Sequence, residues 1–291
     1  MANLKEIRNR ISSVSSTMQI TSAMKMVSAA KLKKAQDAIT AMRPYSDKLT
    51  ELLQNLSATT DGDAGSKYAE QRDVERALVV AITSNRGLAG AFNTNIIKEL
   101  IRLNQNELKG VDVSYMTIGK KANDFVSKKS PVQSNKSDLF ENISYDNVAV
   151  IAEELMELFT TGQFDKIVIV YNSFKNAATQ IVMTEDFLPL KPVAKDEDAL
   201  QAETELDYIF EPSKEEIIEE LIPKSLKMQL YKGVRDSWAS EHGARMTAMH
   251  KATDNATELR DQLKLTYNKA RQAAITNEIL EIVGGAEALN S

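Results

Sequence analysis

The sequence predicts an α/β protein with a long antiparallel α-helical coiled coil: N- and C-terminal helices paired, and a central, open, mainly parallel, Rossmann-like sheet. Three observations predict it. Both ends carry apolar residues at alternating spacings of three and four, the middle alternates short apolar runs with amphipathic stretches, and small polar or acidic segments separate the parts. The divisions fall at 1–57 for the first helix, 58–207 for the central α/β domain with its acidic linker, and 208–291 for the last helix.

The first stripe runs through Leu4, Ile7, Ile11, Val14 and Met18, and then Leu32, Ala35, Ile39, Met42, Leu49, Leu53 and Leu56 in the same phase. A helix from about Ala2 to about Ser57 would be roughly 80 Å long, too long to lie inside one small domain. Pro44 removes a hydrogen-bond donor within it, which predicts a kink. Between Ser57 and Gln71 the small polar text ends the helix.

Ala77 to Thr83 is a continuous apolar run of the kind buried on both faces of a parallel sheet. A helical pattern follows from about Asn93 to Asn106, a strand at Val113 to Ile118, helices over Lys120 to Lys128 and Val148 to Phe159, and a strand at Lys166 to Tyr171. Alternation of this kind implies right-handed crossovers and a parallel sheet. Gln180 to Leu188 reads as an antiparallel edge strand. From Lys195 to Glu220 there are 11 acidic residues against 2 lysines, the text of a solvated connection.

The last helix is predicted from about Pro223 to Leu289, with its stripe at Met246, Met249, Ala252, Ala256, Leu259, Leu263, Tyr267, Ala270 and Ala274. Two regions depart from a simple seam. The first helix puts Thr21, Lys25 and Ser28 on the seam while Ile20, Ala23, Met24, Met26, Val27, Ala29 and Ala30 surround it. The end of the last helix does the same with Ile275, Ile279, Leu280, Ile282, Val283, Ala286 and Leu289. An antiparallel pair places both regions towards the same end of the rod. Residues apolar on all sides are met either by a partner that encloses them or by adaptable methionine-rich packing within the chain.

Composition excludes several classes. The chain is 43% hydrophobic and 26% charged, a folded soluble protein with material for a core. With 36 Lys and Arg against 41 Asp and Glu the net charge is −5, so nucleic acid is not an expected partner. No cysteine is present, which removes thiolate chemistry and disulfides. No apolar run approaches the length that spans a bilayer, so membrane association is expected only through a partner.

No catalytic constellation is found. The loop after the first strand, Ser84-Asn85-Arg86-Gly87-Leu88-Ala89-Gly90-Ala91-Phe92-Asn93, has two glycines but neither a dinucleotide fingerprint nor a phosphate loop ending in Gly-Lys-Ser/Thr. His242 and His250 are eight apart, too far for an adjacent-turn metal pair. No cofactor and no metal are expected. Two readings of other classes stay in view: a nucleotide-binding α/β enzyme dimerised through its long helices, and a generic coiled-coil scaffold.

Longer motifs carry a resemblance. Leu4-Lys5-Glu6-Ile7-Arg8-Asn9-Arg10-Ile11, the run from Gln19 to Leu32, Glu241-His242-Gly243-Ala244-Arg245-Met246-Thr247-Ala248-Met249, and the run from Tyr267 to Ala286 together resemble the gamma subunits of F-type ATP synthases. The Ser84 to Asn93 loop is similar to that family's Ser-Asp-Arg-Gly-Leu-Cys-Gly-Gly-Phe-Asn, with Asn85, Ala89 and Ala91 in place of Asp, Cys and Gly. A role needing that acid or thiol therefore does not carry over. Gly87 and Gly90 are expected to serve a tight strand-to-helix turn.

The resemblance implies a non-catalytic rotor subunit, one per hexamer of alpha and beta subunits. Its paired helices would sit within that hexamer, and its α/β domain would rest with epsilon on the membrane ring of c subunits. Met24 and Lys25 would lie near mobile beta-subunit segments. Arg271 and Gln272 would hydrogen-bond a beta-subunit loop, with Thr276 and Glu278 one turn further on. Ile279, Ile282, Val283, Ala286 and Leu289 would form the bearing at the shaft tip. The start at Met1 without a targeting segment favours a bacterial protein, peripheral on the cytoplasmic side of the inner membrane.

Overall fold

The computed structural model describes residues 4–59, 66–190 and 213–290. The chain divides into two compact units, Ala30–Ala244 on one hand and Met1–Ala29 with Arg245–Ser291 on the other. Two helices contribute to both: α1, Leu4–Thr59, and α6, Lys214–Asn290.

The larger unit is built on a sheet of five strands: β1 (Arg76–Ile82), β2 (Asp112–Ile118), β3 (Val132–Asn135), β4 (Lys166–Phe174) and β5 (Gln180–Leu188), in the order β3-β2-β1-β4-β5. All neighbours are parallel except β4 and β5. The helices between strands are α3 (Phe92–Gln105), α4 (Lys120–Val126) and α5 (Tyr145–Thr160), and a short α2 (Ser66–Ala69) precedes β1.

The β1 sequence Ala-Leu-Val-Val-Ala-Ile is buried throughout because its alternate residues enter two different cores. Leu78, Val80, Ile82, Ile167 and Ile169 face α5 through Leu155 and Phe159, and α6 through Leu226, Leu230 and Val234. Ala77, Val79, Ala81, Val168 and Val170 face Ile96, Leu100 and Leu103 of α3 and Ala122 and Val126 of α4. Each such large side chain contributes about 1.5–3 kcal/mol on burial, so the two cores hold the sheet between helical layers. In the same unit α1 sets Met42 and Leu49 against Met228 of α6.

Helix starts follow capping chemistry. The Ser144 side chain accepts the Asn147 N–H at 3.2 Å at the head of α5, and Ser213 accepts the Glu216 N–H at 3.2 Å before α6. Helix α6 therefore begins nine residues before Pro223 rather than at it, and part of the expected acidic connection, from Lys214 to Glu220, is helical. Residues 195–212 of that connection and residues 60–65 of the polar text before Gln71 lie outside the described residues, while Ser66–Ala69 of that text form α2. Pro44 and Pro223 are both carried inside unbroken helices. Strand β3, which the sequence did not predict, is set by pairing with β2, with Tyr115 opposite Val132 and Thr117 opposite Asn135.

In the smaller unit α1 and α6 pair antiparallel. Arg8 Nη2 donates to Tyr267 Oη at 2.8 Å, the Thr257 hydroxyl donates to Met18 Sδ at 3.3 Å, and the Thr21 and Thr253 hydroxyls lie 2.8 Å apart. As the first residue number rises from 8 to 21, the second falls from 267 to 253. Ile7, Thr21, Ser28, Met249 and Ala256 fill the seam. Both apolar regions fall in this unit, and the register sets them apart along it. Thr21 stands beside Thr253, whereas Ile275 is 22 residues further along α6, roughly 33 Å at 1.5 Å per residue. They form two surfaces, not one.

Candidate functional site

The end of α6 is an extended exposed apolar surface of the smaller unit. Every residue from Arg271 to Ala286 is exposed, including Ile275 (49%), Ile279 (54%), Leu280 (63%), Ile282 (66%) and Val283 (50%). Ile275, Ile279, Ile282 and Ala286 recur at helical spacing, and Leu280 and Val283 widen the stripe beyond one face. Single exposed apolar residues are ordinary, but a contiguous set of branched aliphatics on an uncovered helix marks a surface made to be covered. Arg271, Gln272, Thr276 and Glu278 share this stretch and are exposed. The Thr276 hydroxyl bonds back to the Gln272 carbonyl at 2.9 Å. Leu289 lies within α6, with its side chain outside the described residues.

The second surface surrounds α1 between Ile20 and Val27. Ile20, Met26 and Val27 are exposed, while Met24 and Lys25 are half-buried beside the seam.

The third region is the carboxyl edge of the sheet, where strand order reverses between β1 and β4 and where open α/β sheets take nucleotides. Here the polar groups are consumed internally. The Ser84 N–H donates to Asn93 Oδ1 at 2.9 Å. The N-terminal amides of α4 are taken up by the same loop: Lys120 N–H donates to Asn85 Oδ1 at 3.0 Å, Lys121 N–H to the Ser84 carbonyl at 3.2 Å, and Ala122 N–H to the Thr83 hydroxyl at 2.9 Å. Asn85 Nδ2 also donates to the Ser137 carbonyl at 2.9 Å. Asn85 uses both ends of its amide, and a carboxylate could not supply that donor. These bonds tie the loop after β1 to the start of α4.

Positive φ in the loop falls at Leu88 (62°) and Gly90 (58°), while a Cβ built on Gly87 meets nothing within 4 Å. The steric demand for glycine is instead at Gly119, which the sequence did not single out. With φ at 120°, its Cβ would stand 2.1 Å from the Thr83 carbonyl oxygen. Ala89 is buried against Phe92 and Ala244. Among the described residues no group of three or more His, Asp or Glu is placed to hold a metal ion, and no helix is long and apolar enough to cross a membrane.

Paired terminal helices, a mainly parallel α/β domain and an exposed apolar helix end define the class: an α/β protein whose two terminal helices form a coiled coil. The relatives give the class a family. The ATP synthase family profile matches residues 3–289. The chain is 71% identical over 289 residues to the ATP synthase gamma chain of Flavobacterium psychrophilum, covering 99% of each, and 69% identical over 290 residues to that of Flavobacterium johnsoniae, covering 100% of each. Among solved structures it is similar to a chain of the Tetrahymena thermophila mitochondrial ATP synthase central stalk and c-ring, with 26% identity, a TM-score of 0.57, and coverage of 80% of this chain and 99% of that one. A chain of the Euglena gracilis mitochondrial enzyme shares the fold at 23% identity with a TM-score of 0.69, over 98% and 94% of the two chains. The chain belongs to the ATP synthase gamma chain family.

Proposed function

We propose that this chain is the torque-carrying part of the central stalk of a bacterial F-type ATP synthase. It couples ion flow at the membrane to ATP synthesis or hydrolysis without binding the nucleotide. Its three parts are the first helix (1–57), the α/β domain with its linker (58–207) and the last helix (208–291). The observation that carries the reading is the uncovered apolar stretch of α6 from Ile275 to Val283 in a chain that matches the gamma chains along its full length.

In this reading the shaft runs within a hexamer of alpha and beta subunits, one gamma chain to each hexamer, and epsilon and the c-ring hold the α/β domain. Ile279, Ile282, Val283, Ala286 and Leu289 form the bearing at the tip. Arg271, Gln272, Thr276 and Glu278 are the polar handles for a beta subunit, and Met24 and Lys25 meet the segments of beta that move most. Gly87 and Gly90 shape the strand-to-helix turn. The chain is peripheral, on the cytoplasmic side of the inner membrane, and touches the membrane only through the c-ring.

The test is purification of the complex from membranes through a tag on this chain. One copy per three beta subunits is expected, with epsilon and the c-ring present; recovery without beta would end the reading. For the handles, Arg271→Ala with Gln272→Ala is expected to weaken assembly or turnover under load, and normal ATP synthesis by the double variant would remove their role.

A further inference from the structure

The crevice in which sheets of this type take a ligand is filled here by the protein's own last helix. We infer that this seat, built by Asn172, Ser240 and Gly243, is where the α/β domain grips α6 when torque passes between them. The inference rests on the rotor reading above.

Three contacts within the larger unit build the seat. The Ser240 hydroxyl donates to the Asn172 carbonyl at 3.0 Å, and Asn172 Nδ2 donates to the Phe92 carbonyl at 3.3 Å. Ser240 and Asn172 are both fully buried. Asn172 stands near the end of β4, beside the loop that leaves β1, so it ties the first turn of α3 to the strand while its main chain holds α6. The second contact is steric. A Cβ on Gly243 would stand 3.2 Å from Ala177 Cα and 3.3 Å from its carbonyl oxygen, in the turn that joins β4 to β5. At that distance the backbone turn is pressed against the helix, and a larger residue would lift it off. The third is Ala244, buried against Ala89 and Phe92 on the other side of the crevice.

These contacts surround α6 at the switch point from β4, from the β4–β5 turn and from the loop after β1. Elsewhere α6 lies on the sheet through aliphatic side chains and part-buried side-chain hydrogen bonds, Ser173 to Asp236 at 3.3 Å and Gln229 to Glu185 and the Asp186 carbonyl at 3.3 Å each, contacts through side chains that can swing with the helix. At the seat it is held by one fully buried hydrogen bond to main chain, Ser240 to the Asn172 carbonyl, and by backbone contact at Gly243, neither of which slides without breaking. A domain that must hand torque to a helix needs such a fixed point. The unusual use of a ligand crevice supplies it, and the same occupancy leaves the crevice no room for a nucleotide.

The chain contains no cysteine, so the seat can be tested with an introduced disulfide. In the full chain carrying Ala177→Cys with Gly243→Cys, oxidation is expected to form the bridge, the positions being within disulfide reach. In the assembled complex, ATP-driven proton pumping by the oxidised form is expected to stay within about twofold of the same variant reduced. Failure of the bridge to form, or pumping lost on oxidation and restored by reduction, would overturn the seat, since α6 would then have to leave it in each turn. Where the reduced variant does not assemble, Ala89→Cys with Ala244→Cys reads the opposite wall by the same two criteria. Gly243→Val should lower pumping about tenfold more than hydrolysis, and equal loss of both would count against a gripping role. Bridge formation in the isolated chain does not depend on rotation, so a failed rotor reading and a failed seat give different results.

Discussion

Thr21 and Thr253 face each other across the helix pair with hydroxyl oxygens 2.8 Å apart. Each also reaches its own helix, Thr21 to the Met18 carbonyl at 3.1 Å and Thr253 to the Met249 carbonyl at 2.8 Å. A polar pair that meets across the seam fixes register, because sliding by a turn would separate the two hydroxyls. Thr21→Val should destabilise the pair by about 1 kcal/mol, whereas Thr21→Val with Thr253→Val should cost less than either single change. Urea denaturation of the four forms gives the coupling, and strictly additive losses would show that the hydroxyls act independently.

Gly119→Ala should be among the most damaging single changes in the chain. Its φ of 120° and a Cβ 2.1 Å from the Thr83 carbonyl oxygen would force β1 and the start of α4 apart, at about 3 kcal/mol or more. Gly87→Ala, with open space around the new methyl, should stay within about 0.5 kcal/mol of the parent. Thermal midpoints of the two variants should differ in that order.

Burial raises the Asp236 carboxyl above its ordinary range, opposed by Lys232, Arg43 and the hydrogen bond from Ser173, with Glu185 adding to the rise. The folded protein therefore holds this proton more tightly than the unfolded chain. Stability is greatest while Asp236 is protonated, and it falls as the pH climbs from 3.8 through the raised value. Asp236→Asn should raise the denaturation midpoint at about pH 8, by on the order of 1 kcal/mol, with the gap closing as the pH falls towards the unfolded value. A gap that widened in acid would reverse the sign.

The elements that could be read from the sequence are those whose signal is local. The stripe from Leu4 to Met18 and the run Ala77 to Thr83 declare helix and buried strand by their own periodicity, and the text from Gln180 to Leu188 matches the bounds of β5. Strand β3, Val-Gln-Ser-Asn, has no such pattern and exists because β2 offers it a partner. The start of α6 was hidden because a proline and an acidic run read as linker, although the Ser213 cap was there to see. Gly119 and Asn172 could not be found by spacing, since each is defined by a residue more than 30 positions away, Thr83 for one and Phe92 for the other. The separation of the two apolar surfaces needed the register of the helix pair, which periodicity leaves undetermined.

Met24→Lys should reduce ATP-driven proton pumping more than ATP hydrolysis. Met24 is half-buried next to the seam, and an ammonium there seeks a carboxylate on whatever encloses it, adding drag to each step. Pumping and hydrolysis measured on the same membranes would give the ratio, and a parallel loss of both would count against this account.

The isolated chain should bind neither ADP nor ATP. No lysine of a phosphate loop follows the glycines, and Ala244 of α6 packs on Ala89 and Phe92 where that loop enters α3. Titration calorimetry with either nucleotide should show only heats of dilution, and a saturable heat would revive the reading as an enzyme.

The bare stretch from Arg271 to Ala286 sets terms on how the protein can be made. A free copy carries a row of branched aliphatics that water penalises and that a second free copy could cover equally well. In the assembly proposed above the receiving subunits cover that row, and surplus copies are expected to aggregate. The same exposed row that the proposed bearing requires leaves an unaccompanied copy open to self-association.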